Sequence, residues 1–133
     1  MNPLYPQVMQ RAARRCEYCR APEIAFNFAF EVDHIVPSAL GGTNQENNLA
    51  LACHACNLYK SAYISGFDEL TQSATRIFQP RLDTWAEHFW VNLNNRRIEG
   101  LTDVGRATVL RLRFNSPIQL EARILWLACD IFP

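Results

Sequence analysis

Lysine is almost missing from this chain: Lys60 is the single example, and every other basic residue is an arginine. Excess charge of either sign is missing too, because thirteen basic residues face thirteen acidic ones for a formal net charge of zero. That balance excludes a protein that coats nucleic acid or an acidic surface by bulk electrostatics. No apolar run is long enough to span a bilayer, so no membrane role is expected. Met1 to Gln10 carries no apolar signal segment, from which a cytoplasmic location with reduced thiols is expected. Internal repeats and low-complexity tracts are also lacking. What remains, 133 residues of which 49% are hydrophobic, suits one soluble domain with its own core.

Cysteine is where the chain becomes specific. Cys16/Cys19 and Cys53/Cys56 form two CxxC pairs around the run EVDHIVPSALGGTNQENNLALAC. A two-residue spacer lets one tight knuckle offer two thiolates to one ion, and two knuckles complete the tetrahedral shell that zinc prefers. The segment between them exceeds a minimal zinc ribbon, so the clamp must close over a substructure. Two disulfides in a secreted domain are the competing account, weakened by the missing signal segment. Cys129, in an apolar stretch without a nearby partner, is expected to be a buried, inert thiol.

Periodicity describes the substructure. Pro6 to Arg15 reads as a short helix, with Val8, Met9 and Ala12 on its apolar side. Phe26 to His34 alternates as a strand, Pro37 to Asn47 is a loop around Gly41-Gly42, and Asn48 to Cys53 returns as a second strand. A helix is expected from about Ala55 to Tyr63. This order brings Asp33 and His34, at the strand end, toward Asn57 in the first turn of the helix. Asp33 and Asn57 offer hard oxygen ligands to a divalent ion with positions left open for water and phosphate. His34 is the nearby side chain able to accept a proton at neutral pH.

The segments CEYC, DHIVPSALGG and NNLALACHACNLYKS, in that order, resemble the HNH endonuclease family, whose core is the ββα-metal motif. The resemblance covers Cys16 to about Ser61, and FQPRLDTWAEHF and IEGLTDVGRATV resemble the C-terminal part of small stand-alone bacterial HNH proteins. It implies that His34 is the general base and that Asp33 and Asn57 hold a catalytic divalent metal. It further implies that Asn48 fixes the loop and orients the base. Asn57 stands where many members have a final histidine; an amide oxygen there favours Mg²⁺ or Mn²⁺ over softer ions. His54, inside the second knuckle, is a spacer in the family. The implied reaction is hydrolysis of DNA phosphodiester bonds, double-stranded DNA being the expected partner, with 5'-phosphate and 3'-hydroxyl products. Nicking and double-strand cutting both remain open, the latter requiring a homodimer or two events. The other reading is a zinc-stabilised nucleic-acid-binding module with weak chemistry.

Arginine suits phosphate because its planar fork donates two hydrogen bonds at once. Arg14, Arg15 and Arg20 beside the first knuckle, and Lys60 one turn past Asn57, are the candidate nucleic-acid contacts. The fold expected is α+β: residues 1–65 form an N-terminal helix and a ββα core clamped by a four-cysteine zinc site. Residues 66–133 add a scaffold to the same single domain of 1–133, with a hairpin across Trp85 to Leu101 and two helices. The first helix, Asp103 to Phe114, is capped by Thr102, and the second starts at Ser116-Pro117, with Leu120, Ile124, Leu127, Ala128 and Ile131 at helical spacing. Arg106, Arg111 and Arg113 are expected on the polar side of the first, extension of a DNA-facing surface being the alternative, and His88 in packing or hydrogen bonding.

Overall fold

The computed structural model describes residues 1–133 and is an α+β fold of five helices and three separate two-stranded antiparallel sheets. Helix α1 (Tyr5–Arg11) begins on a proline in its first turn and ends earlier than its apolar pattern suggests, because Ala13 and Arg14 take left-handed backbone angles. It delivers the chain to the first knuckle.

Strands β1 (Glu31–His34) and β2 (Leu49–Ala52) pair with His34 opposite Leu49 and Asp33 opposite Ala50. All of β2 is buried, as its Leu-Ala-Leu-Ala sequence allows. The first strand is shorter than the alternation from Phe26 predicts. Glu23, buried in a 3₁₀ turn (Glu23–Ala25), accepts from the Phe30 amide at 2.8 Å and the Tyr5 hydroxyl at 2.7 Å, so the chain curls over its carboxylate. Phe26 turns inward instead, with its ring 5.0 Å from Phe30 and 6.1 Å from Trp126.

Helix α2 (His54–Lys60) follows the hairpin directly, and the Cys53 sulfur caps it by accepting from the Cys56 amide at 3.5 Å. Then comes a hairpin that the sequence pattern did not suggest, β3 (Ser65–Asp68) with β4 (Ser73–Arg76). Its turn is held by Asp68, whose carboxylate accepts from the Leu70 and Thr71 amides.

The expected strand from Trp85 starts instead as one helical turn, α3 (Trp85–His88), before β5 (Phe89–Val91) pairs with β6 (Ile98–Gly100). The Trp85 indole donates to the Tyr18 carbonyl at 2.8 Å and His88 bonds the Thr102 hydroxyl at 2.6 Å; extended backbone would point the two side chains apart. Helix α4 (Asp103–Arg111) is capped as expected, Thr102 Oγ1 accepting from the Gly105 amide at 3.0 Å. Helix α5 (Pro117–Ala128) also starts where expected, but its buried side is centred on Arg123 and Trp126. Ile124 is consequently exposed, and so is Cys129, contrary to the expectation of a buried thiol. Arg123 displaces the apolar register because its guanidinium binds the carbonyls of Arg96 and Phe114 and the Asn115 side chain.

One continuous core joins the four knuckle cysteines, β2, Phe78, Phe89, Phe114 and Trp126. The C-terminal half therefore packs onto the clamp itself. No helix is long and apolar enough to cross a membrane.

Candidate active site and metal centre

The four sulfurs of Cys16, Cys19, Cys53 and Cys56 lie within 4.8 Å of one another, and all four residues are buried. Cys19 and Cys53 sulfurs are 3.7 Å apart. A ZnS₄ tetrahedron with bonds of about 2.3 Å has edges of about 3.8 Å, so the cluster has the size of a loaded zinc site. Hydrogen bonds from the Cys16 thiol, then those of Cys53 and Cys56, hold the Cys19 thiol well below its ordinary range, whereas burial pushes Cys56 up. Zinc binds the deprotonated sulfurs, so loading the cluster releases thiol protons.

Both knuckles reach β1. Tyr18, inside the first knuckle and fully buried, donates its hydroxyl to Asp33 Oδ2 at 2.7 Å. Lys60, at the end of the helix that the second knuckle begins, places its ammonium 3.2 Å from the same oxygen and 3.4 Å from Oδ1. The same Nζ donates to the His34 carbonyl at 3.0 Å. Burial pushes the Asp33 carboxyl up from its ordinary range, and the Lys60 charge with the Tyr18 hydrogen bond opposes the shift. Burial also raises the Tyr18 phenol well above its usual range, followed by the Asp33 charge, so the hydroxyl remains a donor.

This arrangement corrects one expectation. Lys60 is only 1% exposed and its ammonium is consumed by Asp33 and the His34 carbonyl, so it does not present a surface contact to nucleic acid. A fully exposed lysine would cost nothing to leave unpaired; this one is buried because a buried carboxylate faces it.

His34 is half-buried, and its imidazole turns to the loop, Nε2 lying 2.6 Å from Asn44 Oδ1. With the amide oxygen as acceptor, Nε2 carries the proton and Nδ1 keeps its lone pair. Asn44 was not singled out from sequence; its place between the Gly pair and Asn48 was the available signal. Asn48, expected to fix the loop, accepts from the Val36 amide at 2.9 Å and donates to the Val36 and Thr43 carbonyls at 3.0 and 2.9 Å. The loop closes because Gly41 adopts a left-handed φ of 87°, and Gly42 packs where a Cβ would meet the Val36 carbonyl oxygen at 1.7 Å.

Asn57 is half-buried one turn before Lys60, on the same side of α2. His54 is a spacer with an exposed side chain, bonded to Glu31 at 3.0 Å. Among the arginines, Arg15 and Arg20 come together with Arg11 around a recess of about 220 Å³ beside the first knuckle. Arg14 does not join them; it pairs with Glu23 at 3.2 Å. Arg11 donates to the carbonyls of Glu46 and Leu49, the latter residue paired with His34 across the hairpin.

Residues 16–62 match the family model described as HNH endonuclease. Over these residues the chain is similar to the HNH endonuclease family. The four-sulfur cluster is consistent with the zinc-knuckle type of HNH segment, and the likeness implies a nuclease-type function of the kind that in this family generally uses a divalent metal. The HNH segment ends within two residues of Lys60, so the hairpins and helices beyond it lie outside the matched region. No curated protein and no solved structure matches the chain.

Proposed function

We propose that this protein is a metal-dependent HNH endonuclease that hydrolyses DNA phosphodiester bonds, with His34 as general base. The observation that carries the reading is the Asn44–His34 contact at the end of β1, in a strand tied to both knuckles by Tyr18 and Lys60. It leaves Nδ1 free to take a proton from water while Asn44 fixes the ring and Asn48 fixes the loop. Asp33 and Asn57 are the groups to hold Mg²⁺ or Mn²⁺, the carboxylate and amide oxygens being the hard donors these ions select. The ion would supply Lewis-acid stabilisation of charge on the phosphoryl and leaving oxygens. Zinc in the four-cysteine cluster has the structural part alone, because four sulfurs leave no open position.

The substrate on this reading is double-stranded DNA, cut in line to leave 5'-phosphate and 3'-hydroxyl ends in the cytoplasm. Residues 66–133 serve as scaffold for the single domain, and cutting of both strands uses a homodimer or two successive nicks. Purified protein with supercoiled plasmid and Mg²⁺ or Mn²⁺ should convert it to nicked circles, and His34→Ala should lower that rate by roughly 10²-fold or more.

One observation favours the second reading, a zinc-stapled binding module: Tyr18 and Lys60 already engage the Asp33 carboxylate. Plasmid retained on the protein but uncut, with the same result for wild type and His34→Ala, decides for the module.

A further inference from the structure

The cradle around Lys60 has the chemistry of a cation site. Three hard oxygens, both of the Asp33 carboxylate and the His34 carbonyl, converge on the ammonium at 3.2, 3.4 and 3.0 Å. They belong to the residue proposed to hold the catalytic ion and to the residue proposed as base. Tyr18 shares the carboxylate but stays neutral, so Lys60 is the only positive charge in contact with Asp33. Asn57 stands one turn away on the same side of the helix.

A second observation is independent of these contacts. Lys60 lines a recess of about 470 Å³, whose other walls include Ile35, Val36, Ile64, Ile77 and Phe78. The recess lies beside a lysine that is itself 1% exposed. A four-carbon stem suits such walls, and a rotamer laid along them would carry the charge away from Asp33.

We infer that Lys60 is the resident counter-ion of Asp33, exchanged for the catalytic divalent cation, so that ion binding and the Lys60–Asp33 pair are alternatives. The inference rests on the assignment of Asp33 as a ligand of that ion. Two cations cannot share one buried carboxylate at contact distance without strong repulsion. The exchange has a use in each state. Without the ion, Lys60 neutralises a carboxylate that would otherwise be buried and unpaired. With it, the ammonium is released from the cradle beside the scissile site.

Because Lys60 is the only lysine, its ε-amine and the N-terminal amine are the only two amines that an acylating reagent can modify. The zinc-loaded protein is treated with a short pulse of acetic anhydride at graded Mg²⁺, and acetylation of the peptide bearing Lys60 is read by mass spectrometry against the N-terminus. Acetylation should be slow without Mg²⁺ and rise at least fivefold at saturation, with no Mg²⁺ response in Asp33→Asn. A rate unchanged or slowed by Mg²⁺ overturns the inference. Mn²⁺ titration followed by its electron paramagnetic resonance signal gives the second measurement: Lys60→Met should bind Mn²⁺ at least tenfold more tightly than wild type. Equal or weaker binding by a Lys60→Met protein with a native circular dichroism spectrum overturns it too.

Neither measurement uses DNA cleavage. Nicking by a protein whose Lys60 ignores Mg²⁺ would leave the nuclease standing and remove the exchange. Mg²⁺-released Lys60 without nicking would do the reverse.

Discussion

Asn44 and Asn48 sit four residues apart in one loop, and their surroundings give them separable duties. Asn48 is buried and makes three hydrogen bonds that tie Val36 to Thr43. Each buried bond contributes about 1 kcal/mol, and the abandoned partners add a desolvation cost. Asn48→Ala should therefore cost roughly 2–4 kcal/mol of stability, read as a lower denaturation midpoint. Asn44 is exposed, and its side chain reaches only His34. Asn44→Ala should leave the midpoint within about 0.5 kcal/mol while lowering nicking at saturating DNA by about tenfold or more. An Asn44→Ala protein of full activity would show that the imidazole needs no partner at Nε2. Paired measurement of stability and rate separates the two asparagines.

At the scale of elements, the clamp and the latch between β3 and α4 respond to different reagents. Binding free energy for a structural zinc, about 10–16 kcal/mol in small domains, exceeds the usual stability of a whole domain. Chelation should thus abolish the cooperative thermal transition of the hairpin and α2, and added zinc should restore it. The latch is an ion pair: Arg106 grips Asp68 with Nε at 2.8 Å and a second nitrogen at 3.1 Å, and its hydrogen bonds hold the Asp68 carboxyl well below the usual carboxylate range. A depressed folded pKa means that the stabilisation is present above the unfolded value of about 3.9 and disappears as pH falls through the folded one. The melting temperature of Arg106→Gln should lie below wild type at pH 7, and the gap should close only as the pH drops under about 4. A gap that stays constant through strongly acidic pH would assign the loss to packing.

The same elements mark what sequence could and could not reveal. Both knuckles, the end of β1 at His34, the Thr102 cap and the start at Pro117 were legible because each depends on neighbours within a few residues. The β3–β4 hairpin was not: Ser-Gly-Phe-Asp is a poor strand pattern, and the strand exists because α4 packs over it. Gly66 lies so close that a Cβ there would meet the Ala107 carbonyl at 3.0 Å, and Asp68 needs Arg106, far along the chain. Lys60 was legible as a residue on the right helical turn but not as a buried one. Its burial depends on a carboxylate that arrives from β1, and a similar distance in sequence separates the Arg123 guanidinium from the Arg96 carbonyl that displaces the apolar side of α5.

Across the whole molecule, zero net charge coexists with a local positive group wherever neighbouring arginines have no carboxylate partner. Asp68 pairs with Arg106, Asp83 with Arg76, Glu23 with Arg14 and Glu17 with Arg81. Arg111 and Arg113 lie over the rings of Tyr63 and Tyr59, at 3.9 and 4.4 Å. Beside the first knuckle Arg11, Arg15 and Arg20 line one recess and pair with no carboxylate: Arg11 donates to the Glu46 and Leu49 carbonyls, Arg15 to the Ile131 carbonyl, and Arg20 lies 5.1 Å from the Trp85 ring. The charges crowd one another: burial first, then the Arg15 charge, lowers Arg20, and burial with the Arg11 charge lowers Arg81 to about 10. A surface that groups like charges is suited to an anion that bridges them. Three phosphate contacts release about three counterions, so log K for duplex DNA should fall against log salt with a slope of roughly −3, measured on His34→Ala protein without divalent ions. Arg15→Gln and Arg20→Gln should each reduce that slope by about one, whereas Arg14→Gln, whose partner is Glu23, should leave it unchanged. Equal reductions from all three variants would spread the contact over the whole N-terminal face, and an unchanged slope in all three would move the duplex to another side of the protein.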